Sequence, residues 1–117
     1  MNIEELKKSL VDKTSNKSTT SKKFKLDLIN NFAQENSKEY TCLEVGTHWG
    51  YTTNVLSHLF KEVITIEGVQ ANVEKAMEIN KDRNNIKYMT EELYLQPWWH
   101  FNLPPYQVAF IDAGHQY

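Results

Sequence analysis

Two carboxylates and two glycines carry the densest chemistry in this chain. Glu44-x-Gly46-x-x-x-Gly50, within "LEVGTHWGYTTNVL", runs an apolar segment into two flexible residues and then into a helical pattern. Glycine lets a backbone turn tightly and approach a ligand with no Cβ in the way. A helix starting there aims its free N–H groups and positive dipole end at whatever lies beyond. An ordinary strand-to-helix turn uses the same residues, and the dinucleotide fingerprint has a third glycine that is missing here. Glu67 closes "VITIE" about twenty residues later, where a carboxylate is placed to accept both hydroxyls of a ribose. A solvated, helix-capping glutamate is the alternative reading of Glu67. Together, the turn and the acid point to a ribose-bearing ligand.

Two further stretches add polar groups. Thr90-Glu91-Glu92 follows an apolar segment and either contacts a base or begins a helix. "FIDAGHQY" places Asp112, His115 and Tyr117 just after another apolar segment. Asp112 can bind a metal, contact the ligand or hold His115. An unperturbed histidine titrates at about 6.5, which suits general-base work at neutral pH.

The elements that must position these residues follow from periodicity. Ile3, Leu6, Leu10 and Val11 predict a short amphipathic helix over 2–12, followed by a polar, Ser/Thr-rich loop, "TSNKSTTSKK". Phe24, Leu28, Ile29 and Phe32 predict a second helix, with Ser21 as its cap. From residue 41 strands and helices alternate. "TCLEV", "EVITIE", "IKYM" and "QVAFID" are the strands, and "YTTNVLSHLF" and "VQANVEKAMEINKDR" the first two connecting helices. Such alternation implies right-handed parallel crossovers and a sheet covered on both faces. Ligands of such sheets collect beyond the carboxyl ends of the strands, where all four chemistry-bearing stretches fall. The segment before the fourth strand, "TEELYLQPWWHFNLPPY", is irregular and aromatic.

Composition limits the function classes. The 117 residues make one domain, with 40% hydrophobic and 24% charged residues, as in a globular chain. A net charge of −2 supplies no basic field for nucleic acid or an anionic membrane. No apolar run has the length to span a bilayer. The N-terminus carries acids among its lysines and no apolar core, so it is not a secretory signal. The single Cys42 makes no internal disulfide, reads as strand packing and fits a reducing, cytoplasmic setting.

"LEVGTHWGYTT", "VITIE" and "VAFIDAGHQY", in this order and spacing, resemble class I S-adenosylmethionine-dependent methyltransferases. The likeness is closest to the small-molecule O-methyltransferase branch, with E-[IV]-G-x-x-x-G-Y-[ST] in the first loop and F-[IL]-D-[AG]-x-H-x-Y at strand four. It covers 41–117, with 1–40 an N-terminal helical segment and polar loop. The resemblance implies a Rossmann-like three-layer α/β/α fold with parallel strands in the order 3-2-1-4, truncated relative to the family's seven-stranded sheet. It implies that Glu44, Gly46 and Gly50 form the methionine-side wall of S-adenosylmethionine, with Tyr51 and Thr52 beginning the helix behind it. Glu67 would hold the ribose hydroxyls, and Thr90 and Glu91 would lie near adenine. Asp112 would face the sulfonium end, where catechol-type relatives use the matching acid as a magnesium ligand. His115 stands where those relatives often carry a lysine base, and would take the proton of the acceptor hydroxyl. The remaining metal ligands of those relatives come from a strand beyond residue 117.

The expected activity is methyl transfer to a hydroxyl of a small molecule. The expected chain is a partial domain whose acceptor-binding half is missing. "QVAFID" would then present an unpaired apolar edge, which soluble proteins avoid. Trp98, Trp99, Phe101 and Tyr106 read as packing, or as a homo-oligomer contact together with strand four. A non-catalytic fragment of the same fold that associates with itself is the alternative function.

Overall fold

The computed structural model describes residues 2–12, 20–33, 35–90 and 105–111. Its first helix, α1 (Ile3–Lys8), is shorter than the expected 2–12. Asn2 and Glu5 form a reciprocal capping box at its start, and the Ser9 hydroxyl bonds the Leu6 carbonyl at its end. In α2 (Lys22–Phe32), Ser21 accepts from the Phe24 N–H, as the sequence predicts for a cap. The buried face of α2 departs from the expected one. Phe24 is exposed, whereas Lys25 is fully buried beside Leu28 and Ile29. The Lys25 ammonium donates to the carbonyls of Val11 (2.9 Å) and Thr20 (2.8 Å), and these bonds satisfy a charge that hydrophobic patterning alone would place outside.

A 3-10 turn (Glu35–Glu39) leads into β1 (Thr41–Val45), followed by α3 (Tyr51–Leu59), β2 (Glu62–Ile66), α4 (Gln70–Ile79), β3 (Ile86–Met89) and β4 (Val108–Ile111). The strands form one sheet in the order β3-β2-β1-β4 with every pair parallel, as expected. Cys42 aligns with Val63 on β2 and with Val108 on β4, so β1, like β2, is an interior strand.

Alternation along the strands gives the sheet two distinct faces. On one, Cys42 and Val63 pack with Leu6 of α1, Leu28 and Ile29 of α2, and Val55, Leu56 and Leu59 of α3. Phe32 bridges this layer to the sheet, with ring centroids 5.5 Å from Phe60 and 5.6 Å from Phe110. On the other face lie Leu43, Val45, Ile64 and Ile66, all buried, with Met89 against them. Burial of both faces of β1 and β2 explains their near-continuous apolar sequence. β4 differs: Ala109 and Ile111, in register with Leu43 and Val45, are exposed, Ile111 by 66%.

The end of α4 meets the start of α3 through specific contacts. Asn80 is buried where α4 ends, and its amide donates to the Gly50 carbonyl (2.9 Å) and accepts from Asn54 of α3 (2.9 Å). No described helix is long and apolar enough to cross a membrane.

Candidate functional site

The loop from the carboxyl end of β1 into α3 carries three backbone constraints at alternate residues. Gly46 (φ 98°), His48 (φ 52°) and Gly50 (φ 88°) all adopt the left-handed region. Gly46 extends the ladder by donating its N–H to the Ile66 carbonyl (2.8 Å). At Gly50 the requirement is steric as well. An added Cβ would lie 2.6 Å from Asn80 Nδ2 and 2.8 Å from Ala76 Cβ, so glycine alone lets α4 close on the start of α3. Gly50 is the N-cap residue of α3, and no side chain among the described residues caps that helix. Its first N–H groups are therefore open to an acceptor beyond the carboxyl ends of the strands.

Glu67 sits one residue past β2 and links the loop to α4. Its Oε1 accepts from the His48 N–H (2.8 Å), and its Oε2 from the Val69 N–H (3.1 Å) and Asn72 Nδ2 (3.4 Å). The carboxylate thereby pays for the left-handed conformation of His48, a non-glycine residue in an uncommon region. Trp49 stacks on His48, and the Lys75 ammonium lies 5.1 Å from the Trp49 ring centre, a second tie from loop to α4.

Glu44 occupies different surroundings. Its side chain is buried beneath the loop, and its Oε1 accepts from the hydroxyls of Thr53 on α3 and Thr65 on β2 (2.8 Å to Thr65). Thr65 also hydrogen-bonds Thr47 of the loop. A buried carboxylate is tolerated where hydroxyls satisfy it, and this one ties strand, loop and helix together from below. Cys42, next but one, is fully buried; burial pushes its thiol up, and the Glu44 charge adds to that. It is core, not a reactive group.

The structure brings Gly46, Gly50, Tyr51, Thr52 and Glu67 to one end of the sheet. Thr90, directly after β3, lies at that end too and is exposed; the Glu67 N–H bonds the Met89 carbonyl beside it (2.9 Å). Tyr51 and Thr52 are half-buried, and Thr52 shares a hydrogen bond with Thr20 (2.7 Å), which draws the segment before α2 to the start of α3. Glu91, Asp112, His115 and Tyr117, with Trp98, Trp99 and Phe101, lie outside the described residues. Tyr106 is described and exposed, just before β4. Among the described residues no cluster of His, Cys, Asp and Glu could hold a metal ion.

Sequence reasoning missed Asn72, Asn80 and the threonine set around Glu44. Asn72 had a signal in its place, five residues past the strand-end acid in the first turn of a predicted helix. The threonines had none, since Thr47, Thr53 and Thr65 come from three separate elements and meet only once the sheet is folded.

With this geometry in view, solved structures supply the comparison. A tRNA methyltransferase from Aquifex aeolicus matches 97% of this chain with a TM-score of 0.69 and 24% identity. A dimethyladenosine transferase from Plasmodium falciparum matches 84% (TM-score 0.64, 18% identity), and a precorrin-6y methyltransferase from Geobacter metallireducens 89% (TM-score 0.65, 11% identity). The fold is that of these methyltransferases. The chain spans 44%, 33% and 53% of their respective lengths. No protein-family model matches the sequence, and no curated protein matches it. The methyltransferase fold is shared by enzymes named for tRNA and for precorrin, so fold alone does not separate nucleic-acid from small-molecule acceptors.

Proposed function

We propose that this chain is the cofactor-binding part of an S-adenosylmethionine-dependent methyltransferase, acting on a hydroxyl of a small molecule. One observation carries the reading: a strand-end carboxylate, Glu67, joined to a left-handed glycine loop at the uncapped start of a helix. These residues fit the cofactor. The diol of a ribose suits Glu67, and the α-carboxylate of a methionine suits the N–H groups at Tyr51 and Thr52. Gly46 and Gly50 let the backbone approach it. Glu44, buried behind Thr53 and Thr65, acts on the methionine side by holding that loop and helix in place. In this reading Thr90, at the end of β3, serves the adenine side, and Glu91, next in sequence, is assigned to it as well.

The cofactor supplies an electrophilic methyl group on a sulfonium. The protein's part in such a transfer is mostly orientation, since holding nucleophile and electrophile in line removes much of the entropic barrier. In this reading His115 takes the acceptor's proton and Asp112 faces the sulfonium, with or without a magnesium ion. The net charge of −2 favours a small acceptor over a polyanion, although neighbours of this fold include enzymes named for RNA.

Titration calorimetry with S-adenosylhomocysteine tests the reading. The wild type should bind, and Glu67→Ala should weaken binding at least tenfold, as expected when a charged hydrogen-bonding partner of a diol is lost. Undiminished binding by Glu67→Ala would overturn it.

A second reading rests on β4. Among the described residues β4 pairs only with β1, and Ile111 on it is 66% exposed. A chain that associates with itself through this strand would cover both. Sedimentation should then show a dimer at micromolar concentration that Ile111→Lys disperses; a monomer at all concentrations would remove the idea.

A further inference from the structure

We propose that Asn72 is a second reader of the ribose diol, and that it yields its place on Glu67 when a nucleoside binds. The inference rests on the nucleoside reading above. It follows from the acceptor capacity of one carboxylate.

An ionised carboxylate offers about four acceptor positions. Three N–H groups already use Glu67: His48 on Oε1, and Val69 and Asn72 on Oε2. A vicinal diol brings two O–H donors, one more than the capacity left. One of the three must leave.

The three are not equivalent. The His48 N–H, at 2.8 Å, belongs to a left-handed residue in the loop and is the shortest of the set. The Val69 N–H is backbone of the residue that caps α4 and cannot swing away from it. Asn72 donates from a side chain with free torsions at 3.4 Å, beyond the range of a well-formed N–H···O bond. Its departure costs least. Glu67 is then symmetric, with each oxygen accepting one backbone N–H and one ribose hydroxyl.

The released amide stays close. Asn72 lies in the first turn of α4, half-buried beside Glu67. The diol oxygens that donate to Glu67 retain lone pairs, and of the three donors on Glu67 Nδ2 of Asn72 is the one carried by a side chain that can turn to them. Glu67 thus accepts the diol's protons while Asn72 donates to its oxygens, a division that a deoxy sugar cannot satisfy.

The test is a pairwise titration of the full chain with S-adenosylhomocysteine and with its 2′,3′-dideoxy analogue. Asn72→Ala should weaken binding of the ribose ligand about fivefold, as for one neutral hydrogen bond. It should change binding of the dideoxy ligand less than about twofold, narrowing the ratio between the two. Asn72→Leu keeps most of the volume, loses the donor and adds no charge beside Glu67, and should narrow the ratio as well. Thermal unfolding of both variants confirms that they are folded. A ribose-to-dideoxy ratio unchanged in both folded variants would overturn the role of Asn72 alone. A wild type that binds no S-adenosylhomocysteine would overturn the nucleoside reading and this inference with it.

Discussion

The two ends of α3 are built on opposite plans. At its start the helix opens from Gly50 with no capping side chain, and the loop before it is held from the sides, by Glu67 and by Lys75 over Trp49. At its finish, side chains take up nearly every carbonyl. Arg83 and Asn85 donate to the Ser57 carbonyl (2.9 and 2.8 Å), Lys38 to that of His58 (2.6 Å), and Asn85 also to those of Phe60 and Lys61. Unpaired backbone groups at a helix end normally draw such partners. Cations at the finish also complement the negative end of the helix dipole. One end is sealed by side chains; the other leaves its first N–H groups without a capping side chain among the described residues. Under the proposed function, the contrast separates residues that serve the fold from residues that serve the cofactor.

Substitution at the open end should have the largest effect. Gly50→Ala places a Cβ against Asn80 and Ala76 and forces an L-residue to φ 88°. Overpacking and left-handed strain together should cost about 3 kcal/mol. Urea unfolding would measure this, and S-adenosylhomocysteine binding should fall with it because α3 and the loop share the position. If Gly50→Ala were as stable as the wild type, the tight closure of α4 on Gly50 would be wrong.

The sealed end should respond in stability and not in binding. Asn85→Ala removes one amide that reaches three carbonyls, and it also removes Oδ1, a buried oxygen with no hydrogen-bond partner among the described residues. The two changes oppose each other. The carbonyls lose about 1–2 kcal/mol of hydrogen bonding, and removal of the unpaired oxygen offsets part of it. The expected result is a loss of about 1 kcal/mol with nucleoside affinity unchanged. A fall in affinity at this end would break the division between the two ends.

How much of this was legible in sequence depends on whether a signal is local. Parallel pairing follows from alternating elements and the strand order from the resemblance, while the Ser21 cap and Glu67's place after β2 follow from residues a few positions apart. Periodicity misplaced the inner face of α2, since Lys25 is buried by carbonyls from residues 11 and 20 that no helical pattern encodes. Glu44 shows the same limit within the site. Its spacing to Gly46 marks the loop, but its burial depends on Thr53 and Thr65, which arrive through tertiary packing. The sealed end of α3 was invisible for the same reason. Its partners, Lys38, Arg83 and Asn85, come from before β1 and after α4.

His58 gives the smallest effect and the finest comparison of the two ends. A histidine in the last turn of a helix is usually favoured in its protonated form by the dipole. His58 goes the other way: burial, then the nearby Arg83 and Lys38 charges, lower its pKa from 6.5 to about 4. The cations that seal the helix have already taken the favourable positions. In the unfolded chain His58 gains its proton near 6.5, whereas the folded chain resists until about 4. Between those values the unfolded state binds more protons, so stability falls as pH drops through that window and is fully present above it. Part of the imidazole remains in contact with water, which reduces the size of the effect. Urea midpoints at pH 7 and pH 5 should therefore differ more in the wild type than in His58→Gln, which has no proton to gain. Equal pH dependence in the two proteins would mean that the sealed end does not exclude charge, and the contrast with the open end would rest on hydrogen bonds alone.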